Sequence, residues 1–167
     1  MQRIREWRHW RLIRDIGIAL LIVVGIRAYQ HRDMPSGAAP PLAGTDLDGQ
    51  AVSLDDYKGK PLLLHFWATW CGVCKVEQHN IDALARDLPV LSVASQSGNA
   101  DEIATFVREH GIAPRVVVDA ESALAHRFGV HAFPATFVID ATGEIRHVEV
   151  GYTTELGLRT RMWLAGL

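Results

Sequence analysis

Cys71 and Cys74 are the only two cysteines in this chain of 167 residues, and they are its most reactive side chains. A single close pair can be a redox couple or half of a metal site. Zinc normally takes four ligands, but no second cysteine pair exists, and only His65 and His79 lie near the first pair in sequence. The spacing therefore favours thiol–disulfide exchange, with a copper- or zinc-binding module as the alternative.

The pair stands between a predicted strand and a predicted helix. Residues 62–67 are a near-continuous apolar run of strand length, which is typical of a buried central strand. Apolar residues then return at helical spacing from Val73 to about Asp87. The unsatisfied N–H groups at the helix start favour a thiolate on Cys71, while Cys74 lies one turn deeper within disulfide reach. We therefore expect Cys71 to attack and Cys74 to resolve the mixed disulfide.

Strands and helices alternate through the rest of the chain. Strands are predicted at 90–94 and 115–118, and hairpins within 42–54 and across 135–150. Helices are predicted at 100–110, 121–128 and 154–164, the first capped by Asn99 and ended at Gly111. This order predicts an α/β fold whose sheet has mixed strand directions.

The net charge of −2 is the sum of two unlike parts. Residues 1–32 carry seven arginines against two acidic residues, whereas residues 33–167 carry ten basic and seventeen acidic residues. This balance shows no nucleic-acid footprint, and the 49% hydrophobic content excludes a disordered chain. An uncharged apolar run, 16–26, follows the arginines, and this order is typical of a secretory signal or a signal anchor.

The length of the apolar segment favours an uncleaved anchor. Extending it from Trp10 to Tyr29 gives about 30 Å of helix if the flanking arginines reach the headgroups, enough to cross the hydrocarbon core. Small residues for signal cleavage do not follow promptly; a cleaved signal and a buried soluble helix are the alternatives. The preceding arginines predict a cytoplasmic N-terminus. We expect a basic N-terminus and transmembrane helix at 1–32, a linker at 33–41 and a globular domain at 42–167.

The residues around the cysteines resemble a known superfamily. Residues 66–74, Phe-Trp-Ala-Thr-Trp-Cys-Gly-Val-Cys, resemble the active-site segment of thioredoxin-like proteins, and residues 133–137, Phe-Pro-Ala-Thr-Phe, resemble their cis-proline loop. Three features resemble the TlpA/ResA branch of membrane-tethered thiol–disulfide oxidoreductases. They are the Trp-Ala-Thr-Trp-Cys motif, the apolar N-terminus and the extra helix and strand near 100–118. Segments 33–37, 95–98 and 151–163 further resemble ScsD-type proteins of the suppressor-of-copper-sensitivity group. The resemblance implies a thioredoxin-like fold, with a central mixed sheet flanked by helices, plus an N-terminal transmembrane helix.

The resemblance also implies a substrate site. Pro134 would lie against the cysteines and help to keep metals off them, the backbone of Phe133 would pair with a bound substrate, and Trp70 would form the rim. An ordinary turn is the alternative for Pro134. No cofactor beyond the cysteine pair is implied. Expected partners are protein disulfides or thiols and a membrane thiol electron donor of the DsbD type, without nucleic acid. The resemblance suggests a reductive role on the periplasmic side of a bacterial inner membrane, toward apocytochrome c or copper-stress proteins.

His65 and Glu77 are candidate proton relays. His65 stands where thioredoxins have a buried Asp that assists deprotonation of the second cysteine, and a neutral imidazole could take that part. A hydrogen-bonded core histidine is the alternative. Glu77, three residues after Cys74, stands where cytochrome-maturation oxidoreductases have an acid. Its alternative is a solvated residue on the helix surface.

Overall fold

The computed structural model describes residues 14–22, 24–26, 29, 32 and 34–166. The chain divides into two compact units, Met1–Arg32 and Asp33–Leu167. In the first unit, residues 14–22 and 24–26 are helical. No helix among the described residues is both long and apolar enough to cross a membrane. Residues 1–13 of the predicted basic N-terminus and part of the predicted span Trp10–Tyr29 lie outside the described residues, so the anchor stays a prediction.

The second unit is built on a sheet of mixed strand directions, as the sequence predicts. The strands of this unit are β1 Gly37–Ala38, β2 Ala43–Thr45, β3 Ala51–Ser53, β4 Leu62–Trp67, β5 Val90–Ser95, β6 Arg115–Asp119, β7 Ala135–Ile139 and β8 Glu144–Val150. Six of them form the sheet in the order β1-β8-β7-β4-β5-β6, with β4, β5 and β6 parallel and the other pairs antiparallel. A separate hairpin is formed by β2 and β3. The helices are α1 Gly72–Ala85, α2 Ala100–His110, α3 Ala123–Arg127 and α4 Glu155–Ala165, with a 3-10 turn at Leu54–Tyr57.

Strand β4 lies in the middle of the sheet and is buried along its whole length. On one face, Phe66 packs against Phe128 and Phe137, with ring centroids 5.3 and 5.7 Å away. On the other face, Leu63 packs with residues of α1 and α4. Because successive side chains of a strand alternate between faces, His65 and Trp67 share the α1 face with Leu63. The cysteine segment follows the last residue of β4, so it lies at the carboxyl end of a central strand.

The ends of the helices follow local signals in the sequence. Asn99 and Glu102 form a reciprocal capping box at the start of α2, and Gly111 ends the helix in a left-handed conformation. Helix α3 is shorter than predicted and begins after Ser122, whose side chain makes no cap. The carboxylate of Asp119 instead accepts hydrogen bonds from the backbone of Leu124 and Ala125. The capping residue belongs to strand β6, so the spacing of apolar residues in the helix does not predict where α3 begins.

The predicted linker at 33–41 differs from the structure. Gly37 and Ala38 pair antiparallel with Ile145 and Glu144, and the Ala39 N–H donates to the Gly143 carbonyl at 2.9 Å. An edge strand leaves backbone groups unpaired, and an extended segment of any composition can satisfy them. The ordered domain therefore begins before residue 42.

Candidate functional site

Cys71 and Cys74 form a disulfide at the start of α1, with their Cα atoms 5.3 Å apart. Cys71 is the N-cap residue, and its Sγ accepts a hydrogen bond from the Cys74 backbone N–H at 3.1 Å. Cys71 is 6% exposed and Cys74 is 1% exposed. The helix N-terminus stabilises negative charge on the outer sulfur, because its N–H groups and dipole point there. Cys71 therefore has both the better access and the better environment for a thiolate.

Trp70 and Phe133 form an aromatic rim beside this disulfide. Their ring centroids lie 5.9 Å apart in an edge-to-face arrangement, and Trp70 Nε1 donates to the Gln96 carbonyl at 2.9 Å. Phe133 packs against the apolar cluster that contains both cysteines. The peptide bond between Phe133 and Pro134 is cis. The structure thus brings Phe133, which is distant in sequence, together with Trp70 and the cysteine pair.

His65 is completely buried in β4. Its Nδ1 and the Thr136 Oγ1 of the neighbouring strand share a hydrogen bond of 3.0 Å, while Nε2 has no partner among the described residues. Burial lowers the pKa of His65 to about 3, because the protein interior disfavours the imidazolium. In the register of the sheet, His65 lies between Thr136 and Ser92, whose hydroxyl also finds no partner within the described chain. His65 is therefore neutral near pH 7, and its part in proton transfer stays a prediction.

Glu77 is completely buried on α1, so its alternative as a solvated surface residue is wrong. Its Oε1 accepts a hydrogen bond from the Thr153 backbone N–H at 2.7 Å, and Oε2 has no partner in the described part of the chain. Burial raises the pKa of Glu77 to about 7, and the hydrogen bond from Thr153 opposes this rise. The segment after β8 covers this helix face and excludes water from it. Glu77 can therefore exchange a proton near neutral pH.

Asn80 is a site residue that the sequence pattern missed. It is buried on α1, and its Nδ2 donates to the Tyr152 hydroxyl at 3.2 Å and to the Thr153 carbonyl at 3.0 Å. The Gly151 N–H donates to the Pro134 carbonyl at 2.8 Å. Segment 151–153, which joins β8 to α4, therefore ties the cis-proline loop to the cysteine helix. The sequence signal that could have indicated this residue is the side-chain amide of Asn80 beside the apolar positions of a predicted helix.

Within the described residues, no group of three or more His, Cys, Asp or Glu side chains is arranged to hold a metal ion. The packing of Phe133 against the cysteine cluster, the disulfide at a helix start and the mixed sheet together define a thiol–disulfide oxidoreductase of the thioredoxin superfamily. The comparisons with known proteins agree with this class.

The chain belongs to the Redoxin family, whose model matches residues 32–160. The thiol-disulfide oxidoreductase ResA of Bacillus thuringiensis subsp. konkukian is 31% identical over 147 residues, which cover 81% of this chain and 85% of that protein. A thioredoxin-like protein of Haemophilus influenzae is 29% identical over 150 residues, or 89% of each chain. A crystal structure of a thiol:disulfide interchange protein of the thioredoxin family from Chlorobium tepidum superposes with a TM-score of 0.68 at 25% identity, covering 78% of this chain and 97% of that one.

These findings confirm the predicted TlpA/ResA-type membership and the oxidoreductase class. The narrower likeness to ScsD-type proteins stays a prediction.

Proposed function

We propose that this protein is anchored in a bacterial inner membrane, faces the periplasm and reduces disulfides of envelope proteins. The observation that supports this best is the difference between the two cysteines in exposure and environment. Cys71 lies at a helix N-terminus beside an aromatic rim, and Cys74 is more deeply buried. Thiol–disulfide exchange itself follows from the family. The direction, the location and the client proteins are the proposal.

In the first step, the Cys71 thiolate attacks one sulfur of a substrate disulfide. The substrate S–S bond breaks, one substrate sulfur leaves as a thiolate, and the other is bound to Cys71 as a mixed disulfide. The backbone of Phe133, next to Pro134, pairs with the substrate segment, and Trp70 closes the rim. These residues hold the substrate sulfur in line with Cys71.

In the second step, the Cys74 thiol loses its proton and attacks the Cys71 Sγ. The second substrate thiolate leaves, and the Cys71–Cys74 disulfide forms. The protein has then given two electrons to the substrate. Glu77, with its pKa near neutrality, accepts the Cys74 proton. His65 stays neutral because burial holds its pKa at about 3, and its Nε2 serves the proton path as a hydrogen-bonding atom. No cofactor is needed beyond the cysteine pair.

A membrane thiol donor of the DsbD type restores the dithiol by the same two exchanges in reverse. The arginine-rich N-terminus and the apolar run 16–26 support an anchor with a cytoplasmic N-terminus. Apocytochrome c, reduced from its disulfide to its thiols, is one client class. Copper-stress proteins are the other, and they are suggested by the ScsD-type resemblance.

A Cys74→Ser variant expressed in the native envelope tests the function. Without the inner thiol, mixed disulfides on Cys71 should accumulate, and mass spectrometry of the trapped adducts identifies the clients. A Cys71→Ser variant is the matched control and should trap nothing. The reductive direction predicts that wild-type protein is isolated mainly as the dithiol and becomes oxidised when the donor is deleted. A protein that stays oxidised in both strains would contradict the reductive direction.

A further inference from the structure

We propose that the outer face of helix α4 is a membrane-docking surface, which lies on a phospholipid bilayer and places the Trp163 ring among the headgroups. The inference rests on the proposed membrane anchor and adds a second contact with the same bilayer. This second contact is made by the unit Asp33–Leu167.

Helix α4 has apolar residues on two opposite sides. The inner face, with Leu158 and Met162, is buried against strand β4 and helix α1. At about 3.6 residues per turn, the opposite, outer face is formed by Leu156, Thr160, Trp163 and Leu164. Its three apolar side chains are 76%, 65% and 47% exposed, in chain order. Because the side of a surface helix that faces water is ordinarily polar, this face indicates a contact with an apolar phase.

The polar side chains on and beside the outer face are bonded within the protein. Thr160, the one polar residue of the face, donates its hydroxyl to the Leu156 carbonyl at 2.8 Å. The two arginines that flank the face, Arg159 and Arg161, pair with the carboxylates of Asp87, Glu155 and Glu149. A hydrocarbon environment requires such internal partners, whereas a protein interface has a polar rim that bonds to the partner. The outer face therefore meets the condition for contact with lipid.

A cavity of about 240 Å³ extends the apolar surface beyond the helix. It is lined by Pro61, Leu88, Pro89, Arg159, Met162 and Trp163. Pro61 directly precedes β4, whereas the disulfide follows the other end of that strand. The strand separates the two ends by about 20 Å, at about 3.3 Å per residue. Contact of Trp163 with lipid therefore leaves the exchange site uncovered.

The area of the outer face distinguishes a bilayer from a second copy of this chain. Its exposed apolar side chains present roughly 300–400 Å², the size of a functional patch on a monomer. A symmetric contact between two copies would bury about twice that area, less than the about 1,200 Å² of the smaller stable interfaces. A bilayer sets no such minimum, and tryptophan and leucine are side chains that enter the boundary between headgroups and acyl chains.

The length and charge of the chain specify the kind of contact. Arg32, the last residue of the proposed anchor segment, stands five residues before Gly37 of β1. An extended chain of that length spans at most about 18 Å, so an anchored domain meets the bilayer at high effective concentration and a weak contact suffices. Residues 33–167 carry seventeen acidic and ten basic residues, so attraction to anionic lipid does not contribute. The matching surface is that of zwitterionic phospholipid.

The test inserts the full-length protein, in its dithiol form, into phosphatidylcholine vesicles with or without brominated acyl chains, which quench indole fluorescence on contact. The emission of one tryptophan is the difference between the wild type and its Phe variant, so the other tryptophans cancel. The emission obtained with Trp163→Phe should fall about twofold in brominated vesicles. Trp70→Phe is the matched control: Trp70 is 61% exposed but lies beside the cysteine pair, and its emission should change by less than about one tenth.

A charge on the outer face provides a second measurement. Leu156→Glu should abolish the quenching of Trp163, because a carboxylate resists transfer from water into lipid. Val76→Glu adds the same charge at an exposed apolar position of α1 and should leave the quenching unchanged.

Three results would contradict the inference. Emission of Trp163 that bromine does not quench and aqueous acrylamide does would show a face open to water. Emission that neither agent quenches would show a second copy on the face. Failure of the protein to float with the vesicles would overturn the proposed anchor, and the inference with it.

Discussion

The buried carboxyl of Glu77 makes the stability of this protein depend on pH in a direction opposite to that of most acidic residues. Burial raises its pKa from 4.5 to about 7. Below pH 4.5 the group is protonated in both the folded and the unfolded chain and has no effect. As pH rises from 4.5 to 7, the unfolded chain releases the proton while the folded chain keeps it, so the free energy of unfolding falls. Above pH 7 the loss is complete.

The size of this effect follows from the pKa change. At about 1.4 kcal/mol for each tenfold change in proton affinity, the full loss is about 3 kcal/mol. Glu77→Gln removes the titration but keeps an oxygen that can accept from the Thr153 N–H. The difference in the free energy of unfolding, variant minus wild type, should therefore rise by about 3 kcal/mol between pH 4 and pH 8. The glutamine NH2 group that replaces one carboxylate oxygen is also buried, but any pH-independent cost of burying it cancels in this comparison.

Urea unfolding of the oxidised protein at several pH values measures this difference, because neither cysteine titrates in the disulfide form. Val76→Ala, one residue earlier on the same helix, removes no titratable group and should give a difference that does not vary with pH. A Glu77→Gln difference that changes by less than about 0.5 kcal/mol would refute the reasoning, since exposed substitutions commonly reach that value. Glu77 would then titrate in the folded protein with the ordinary pKa of a solvated carboxyl group.

Two further predictions concern the other buried titratable groups. His65→Ala should slow the attack of Cys74 on the mixed disulfide more than the first attack by Cys71, which rapid quenching with alkylation of each thiol measures; equal slowing of both steps would remove His65 from the proton path. Asp140→Asn should lower the free energy of unfolding by about 2 kcal/mol at pH 7, as expected for hydrogen bonds to a charged group. Burial tends to raise the pKa of Asp140, but hydrogen bonds from Thr142, Glu144 and Arg146 outweigh it and hold the pKa well below 3.8. The stability is present above pH 3.8 and is lost as pH falls toward the folded pKa, so the gap between variant and wild type should shrink in urea unfolding below about pH 4; a gap that stays constant on acidification would contradict the assignment.

Much of the fold is predictable because its signals are local. The run at 62–67 is long enough and apolar enough to indicate a central strand, and all six residues are buried. Asn99 and Gly111 mark the ends of α2 by hydrogen bonds and backbone conformation within the same segment. The edge strand at Gly37–Ala38 escapes prediction because small residues carry no periodicity, and only the proximity of β8 makes them pair.

Local sequence is enough to predict the chemistry of this protein. Neighbouring residues predict the buried strand, the helix that follows it and the cysteine pair at their junction. They also predict that Cys71 lies at the helix start and Cys74 one turn deeper. The surroundings of that pair come from contacts between segments that are distant in sequence. Thr136 meets His65 from 71 residues away, and Tyr152 meets Asn80 from 72 residues away. Burial of Glu77 and the resulting rise of its pKa require a segment from the far end of the chain to cover α1. Local spacing cannot encode such contacts, because they depend on how distant segments pack and exclude water.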